Sequence, residues 1–199
     1  MKTSLILAGG LATALLALGV AGLAFGDDDD HDDDHHERHE HRRSSWVEPG
    51  EDVKPVVDPT YAEECGACHM AYQPGLLPGD AWQQIMAPDA LVDHYGDDAS
   101  LSPDLQQEIT GYLTANAAER SRKSRARAFS VGDAGTGSLP RITATRYFRN
   151  EHHEIPSRLV AGNPDVGSFS NCNACHQGAG EGVYNEHRVR IPGHGRWDD

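Results

Sequence analysis

The sequence predicts a mostly α-helical fold of two small lobes, with short helices and much irregular loop. A pentapeptide of the form Cys-x-x-Cys-His occurs twice, at 65–69 and 172–176, and a Gly/Ser-rich stretch at 130–139 separates the copies. The chain has 21 Gly and 11 Pro in 199 residues, which keeps helices short. Hydrophobic residues make up 38% of it, which is little for one large core.

The two pentapeptides predict two covalently attached haem groups. In such a motif two thiols add across the vinyl groups of one porphyrin, and the following histidine ligates the iron. The chain has four cysteines, and all of them lie in these motifs: Cys65 and Cys68 before His69, and Cys172 and Cys175 before His176. A disulfide pair or a zinc site with four thiolates is the alternative, but zinc does not require the trailing histidine twice. We therefore expect two haem c groups, and an apo chain that is largely unfolded without them.

The N-terminal 57 residues are predicted to lie outside the folded lobes. Residues 1–26 have a basic start, an apolar middle and small residues before a run of aspartates, which indicates a cleaved secretory signal. An uncleaved anchor is the alternative, since the segment is about as long as the roughly 20 residues of a membrane span. Residues 27–57 form an acidic, His-rich tail and an extended lead-in, and the tract 27–43 is expected to be disordered, with weak metal binding as an alternative. The signal predicts export to the periplasm, with no stable membrane insertion after cleavage.

Short helices are predicted in the first lobe, residues 58–129. A helical turn should carry the first motif, and Asp80 is a candidate cap for a helix whose apolar stripe contains Trp82, Ile85 and Met86. Another short helix is expected around Leu91, His94 and Tyr95. Ser102 and Pro103 signal a longer helix, with Leu105, Ile109, Tyr112 and Leu113 on one face. The second lobe, residues 140–199, shows little regular structure, and the link 130–139 is taken as the boundary.

A basic run at 120–127 contains five Lys or Arg in eight residues of a chain whose net charge is −14. Three interpretations stay open: a solvated helix end, salt bridges to haem propionates, and a docking patch for an acidic redox partner. The acidic balance of the whole chain argues against a nucleic-acid partner.

The remaining ligand of each iron decides between electron transfer and substrate chemistry. Met70 follows its own proximal histidine and cannot reach around the ring, and Met86 lies in an apolar stripe. We therefore predict histidine on both distal faces, His94 for the first haem and His152 for the second. His153, His187, His194 and Met86 are the alternatives.

Several longer segments resemble the bacterial dihaem cytochrome c family, which includes the redox partner of the sphaeroides haem protein. The similar segments span residues 58–192 and are Glu64 to Tyr72, the Pro74–Pro78 turn, Trp82, His94 to Ala99, Ile142 to Phe148, His152 and Val189 to Pro192. This resemblance implies a small two-lobed dihaem c-type cytochrome of the periplasm, mostly helical, with bis-histidine haems and no substrate chemistry of its own.

The expected function is electron transfer to or from a redox partner protein, such as another c-type cytochrome or a membrane-bound cytochrome. Two alternatives remain at this point. One is a dihaem enzyme of the peroxidase or reductase type, which needs one haem with an open face. The other is the electron-transfer subunit of a larger oxidoreductase.

Overall fold

The computed structural model describes residues 52–131, 134 and 139–197, and there the chain is mostly helical, as predicted. The helices are α1 (Pro59–Gly66), α2 (Gly79–Ile85), α3 (Pro88–Val92), α4 (Pro103–Ala115), α5 (Ser124–Ala128), α6 (Arg146–His152) and α7 (Cys172–Cys175). Single 3-10 turns lie between the helices, at Pro74–Leu76, Ala118–Arg120, Ile142–Ala144 and Ser157–Leu159, and after α7, at Ala179–Glu181 and Glu186–Arg188. The predicted signal, the tract 27–43 and most of the predicted link lie outside the described residues.

Side-chain caps fix where three of the helices begin. Asp58 Oδ1 accepts a hydrogen bond from the Tyr61 amide (2.8 Å) at the start of α1. Ser102 Oγ accepts from the Leu105 amide (3.4 Å) before α4, and Thr145 Oγ1 accepts from the Phe148 amide (3.2 Å) before α6. Such caps satisfy amides that have no partner inside the helix. Because α1 carries Cys65 and α6 carries His152, two of these caps also set the position of site residues.

The first hydrophobic core lies where α2 packs on α4. The predicted stripe of Trp82, Ile85 and Met86 is buried, and so are Ile109 and Leu113 of the predicted long helix. The Asp80 cap is wrong: α2 begins at Gly79 with Pro78 at the cap position, and Asp80 lies in the first turn.

The second core draws on residues far apart in the chain. Its buried members are Val53, Leu76, Ala118, Ala126, Phe129 and Phe148. Phe148 follows the predicted link and the others precede it, so this core takes residues from both sides of the link. The two-lobe boundaries stay a prediction.

Both ends of the described chain are tied into the fold. The amides of Asp52 and Val53 donate to the Gly182 carbonyl at 2.9 and 3.0 Å. Gly182 has φ +73°, and a Cβ there would collide with the Val53 carbonyl, so the close approach requires glycine. The tail, predicted to be irregular, forms a small antiparallel pair of β1 (Arg190–Ile191) and β2 (Gly195–Arg196), with Ile191 opposite Gly195. None of the helices in the described ranges is long and apolar enough to cross a membrane.

Candidate functional site

The first site pairs His69 with His94. The two imidazole centroids lie 6.4 Å apart, with 20° between the ring planes. Nδ1 of His69 is 2.8 Å from the Met70 carbonyl, and the ring of Tyr72 stacks on His69 at 4.9 Å. The carbonyl contact fixes the ring orientation and leaves Nε2 available to bind a metal.

His94 is held by a tight turn. The predicted helix around Leu91, His94 and Tyr95 is wrong beyond Leu91, because α3 ends at Val92. The His94 amide instead donates to the Asp97 carbonyl (2.7 Å), and Tyr95 adopts a left-handed φ of 61°. The Tyr95 hydroxyl donates to the Pro140 carbonyl, and the Arg141 guanidinium lies 4.2 Å above the Tyr95 ring. A bulky residue in this conformation is strained, and these contacts hold the turn that presents His94.

The second site pairs His176 with His152. Their ring centroids lie 6.1 Å apart, and the planes meet at 68°. His176 follows α7 directly, and His152 is the last residue of α6. Nδ1 of His152 is 2.9 Å from the Phe148 carbonyl, and the Phe148 ring stacks on the imidazole at 3.9 Å. Both ligands predicted for the second haem therefore face each other.

A cavity of about 380 Å³ opens between these two imidazoles. Cys172 and Cys175 of α7 line it together with both histidines. Much of the remaining lining is apolar, from Leu76, Phe129, Phe148, Val160, Val166, Phe169 and Val189. Apolar walls with a few converging polar groups are typical of a cofactor site.

The four cysteine thiols are unpaired, and burial raises the pKa of Cys65 and of Cys172 to about 11. Among the described residues, no group of three or more His, Cys, Asp or Glu side chains is placed to hold one metal ion. The four cysteines thus do not form a single zinc site.

The comparison with protein families and the comparison with solved structures point to the same family. The family model for dihaem cytochrome c matches residues 61–184. The chain belongs to the dihaem cytochrome c family. A diheme cytochrome type c from Shewanella baltica is 42% identical, with a TM-score of 0.57, over 70% of this chain and 97% of that one. A diheme cytochrome c from Rhodobacter sphaeroides is 38% identical, with a TM-score of 0.56, over 66% of this chain and 100% of that one. No match was found among curated protein sequences.

Membership in this family confirms the predicted fold class and two haem c groups, and it makes the chain a dihaem electron-transfer protein.

The spacing of the paired imidazoles in this dihaem cytochrome c fits two haem groups. A metal–imidazole bond is about 2.0 Å long and the ring centre lies roughly 1 Å beyond the nitrogen, so imidazoles on opposite faces of one metal have centres about 6 Å apart. The observed separations are 6.4 and 6.1 Å. In addition, Nδ1 of His94 and Nδ1 of His176 are buried without a hydrogen-bond partner among the described residues.

Burial lowers the pKa of two of the four imidazoles. It lowers the pKa of His176 to about 4, with further lowering by His152 and Arg125. Burial also lowers the pKa of His94, and the neighbouring His69 adds to this effect. The neutral imidazole is the form that binds a metal.

The alternative distal ligands are buried in a core or exposed at the surface. Met86 is buried in the first core, at 3% exposure. His153 and His187 are exposed beside Glu154 and Glu186, and His194 is exposed near Trp197. The structure therefore brings the predicted pairs together. Of the alternatives, His153 also lines the second cavity, but its side chain is 70% exposed and its Nδ1 is 2.8 Å from the Asn150 carbonyl.

Sequence reasoning missed several residues that shape the sites. Tyr72 and Tyr184 contact the two proximal histidines, since Tyr184 lies 5.4 Å from His176. Gln73 links the segments that carry them, through contacts 106 and 111 residues apart in the chain. Tyr72 lies inside a segment of the family resemblance, but no local pattern marks Gln73 or Tyr184.

Proposed function

We propose that this dihaem cytochrome c carries electrons between redox partners with both irons ligated by two histidines. Cys65 and Cys68 hold the first haem through thioether links, and Cys172 and Cys175 hold the second. His69 and His94 ligate the first iron, and His176 and His152 the second. The main support for this proposal is that two imidazole rings face each other in each of the two sites, with their centres about 6 Å apart.

Bis-histidine haem supplies one-electron transfer at a low reduction potential relative to histidine/methionine haem. The protein contributes the fixed geometry. Histidines on both faces leave no coordination position for a substrate, which favours electron transfer over peroxidase or reductase chemistry. Carbonyl contacts to Nδ1 of His69 and His152 hold those rings in one orientation.

The site of action that we propose is the periplasm, with a redox partner protein such as another c-type cytochrome or a membrane-bound cytochrome. The signal-like segment 1–26 supports export. Haem attachment outside the cytoplasmic membrane, which the family resemblance implies, supports the same compartment.

Removal of a distal histidine tests the ligation. His94→Ala and His152→Ala should each open one iron and convert one of the two haems from low spin to high spin, seen in the absorption spectrum of the oxidised protein. Each variant should also bind carbon monoxide when reduced. The wild-type protein should not.

Two exposed histidines serve as matched controls. His153→Ala and His187→Ala should leave both haems low-spin, because these side chains lie at the surface. An unchanged low-spin spectrum in both His94→Ala and His152→Ala, or high spin in a control, would overturn the ligand assignment.

A further inference from the structure

The fold places the five cations of the basic run at 120–127 in two different environments. Its other cations, Arg120, Arg122, Lys123 and Arg127, are exposed. Arg125 lies in α5, its side chain is 25% exposed, and it lines the cavity between His152 and His176. Of the described residues that line this cavity, Arg125 is the single Lys or Arg. One of the five cations therefore has a different environment from the rest.

The protein does not use all the hydrogen-bonding capacity of Arg125. Its Nη1 donates to the Tyr147 hydroxyl at 2.9 Å. The carboxylates of Asp52 and Glu151 lie 3.6 and 3.8 Å away, which allows charge attraction but is too long for good hydrogen bonds. Its Nε is buried without a hydrogen-bond partner in the described part of the chain. A guanidinium has five N–H donors, so several remain for another acceptor.

Of the two neighbouring acids, Asp52 is engaged outside the cavity lining, whereas Glu151 lines the cavity together with Arg125. Asp52 Oδ2 accepts a hydrogen bond from the Tyr184 amide at 2.6 Å, and Glu151 is 41% exposed at the surface. They hold the Arg125 side chain in place, but at these distances they leave its Nε without a hydrogen-bond acceptor among the described residues. A buried or half-buried donor left unpaired is costly, so an anion in the cavity would stabilise this arrangement.

Haem, the group expected in this cavity, carries anionic groups that Arg125 could bind. Haem has two propionate carboxylates, and the walls here are largely apolar. Arginine pairs with carboxylates through two parallel hydrogen bonds. We propose that Arg125 binds a propionate of the haem attached to Cys172 and Cys175 and raises the reduction potential of that haem. The inference rests on the proposed function, since it requires a haem between His152 and His176.

The effect on potential follows from charge. A propionate anion near the iron stabilises the ferric state, which carries one more positive charge than the ferrous state. The guanidinium offsets that anion, because opposite charges at close range in a cavity of low dielectric interact strongly. Loss of the cation should therefore favour the ferric state and lower the potential.

A redox titration of the holoprotein, followed by electron paramagnetic resonance to resolve the two haems, tests the proposal. Arg125→Met should lower one of the two midpoint potentials and leave the other unchanged. Arg122→Met, which removes an exposed cation from the same run, should change neither. Unchanged potentials in Arg125→Met, or an equal shift in Arg122→Met, would overturn the proposal.

Methionine also leaves Asp52 and Glu151 without their cation, so lysine provides a test that does not depend on that variant folding. Arg125→Lys keeps the charge and loses the planar fork. The potential should stay near that of the wild type, while the propionate carboxylate bands shift in the reduced-minus-oxidised infrared spectrum. Unshifted bands would overturn the proposal. A five-coordinate iron in the wild-type protein would instead refute the proposed ligation, so the two failures are distinguishable.

Discussion

Gln73 shows how a single buried side chain connects the two sites. Its side chain is fully buried, its Oε1 accepts from the Tyr184 hydroxyl at 2.5 Å, and its Nε2 donates to the Ala179 carbonyl at 2.5 Å. Its neighbour Tyr72 stacks on His69 and donates to the Ser170 carbonyl at 2.8 Å. Residues 72 and 73 therefore join the chain near His69 to both sides of the second haem motif.

Replacement of Gln73 should weaken the whole fold. Gln73→Leu leaves the Tyr184 hydroxyl and the Ala179 carbonyl without this partner, which should lower the free energy of unfolding by about 1–3 kcal/mol. Denaturant unfolding of the holoprotein measures the change. Gln107→Leu, on the exposed face of α4, is the control and should have little effect. Equal stability of Gln73→Leu and the wild type would show that these hydrogen bonds contribute nothing.

At the scale of single residues, the sequence identifies the motif residues and the histidines that face them, but not the residues that support these histidines. His69 and His176 follow from the motif, and His94 and His152 follow from elimination and chain order. Gln73 and Arg125 look like other Gln and Arg residues in the sequence. Their roles come from contacts with Tyr184 and from the cavity, which exist only once distant segments are packed together.

Helix α4 is the element that local patterns predicted best. Ser102 caps it, Pro103 is its first residue, and Ile109 and Leu113 face the first core as expected. Helix α3 shows the limit. The pattern around Leu91 continued to His94, but a hydrogen-bonded turn with left-handed Tyr95 replaces the helix after Val92, because contacts with Pro140 and Arg141 outweigh local propensity.

Truncation of the buried face of α4 tests its contribution. Ile109 is 0% exposed, so Ile109→Ala should lower the free energy of unfolding by about 2–5 kcal/mol through lost burial and a residual cavity. Thermal or denaturant unfolding provides the measurement. Glu108→Ala, one position away and exposed, should change stability little. Similar losses in both variants would mean that the α2–α4 contact does not determine stability.

At the scale of the whole molecule, composition predicted little hydrophobic core, and the described residues form two modest apolar clusters in place of one large core. The helical class and two haem c groups were predictable because the motif and short amphipathic segments are local features. The mixing of residues from both sides of the link in the second core was not predictable. It depends on how Phe148 meets Leu76 and Phe129, which no periodicity encodes.

The two imidazole pairs differ in a way that one spectrum can detect. Near-parallel imidazole planes on a ferric haem give a rhombic low-spin signal, whereas planes close to perpendicular give a more anisotropic one. The planes meet at 20° for His69 and His94 and at 68° for His152 and His176. Electron paramagnetic resonance of the oxidised protein should therefore show two different low-spin signals of equal weight, one of each kind. A high-spin ferric signal in the resting protein would contradict bis-histidine ligation of both haems.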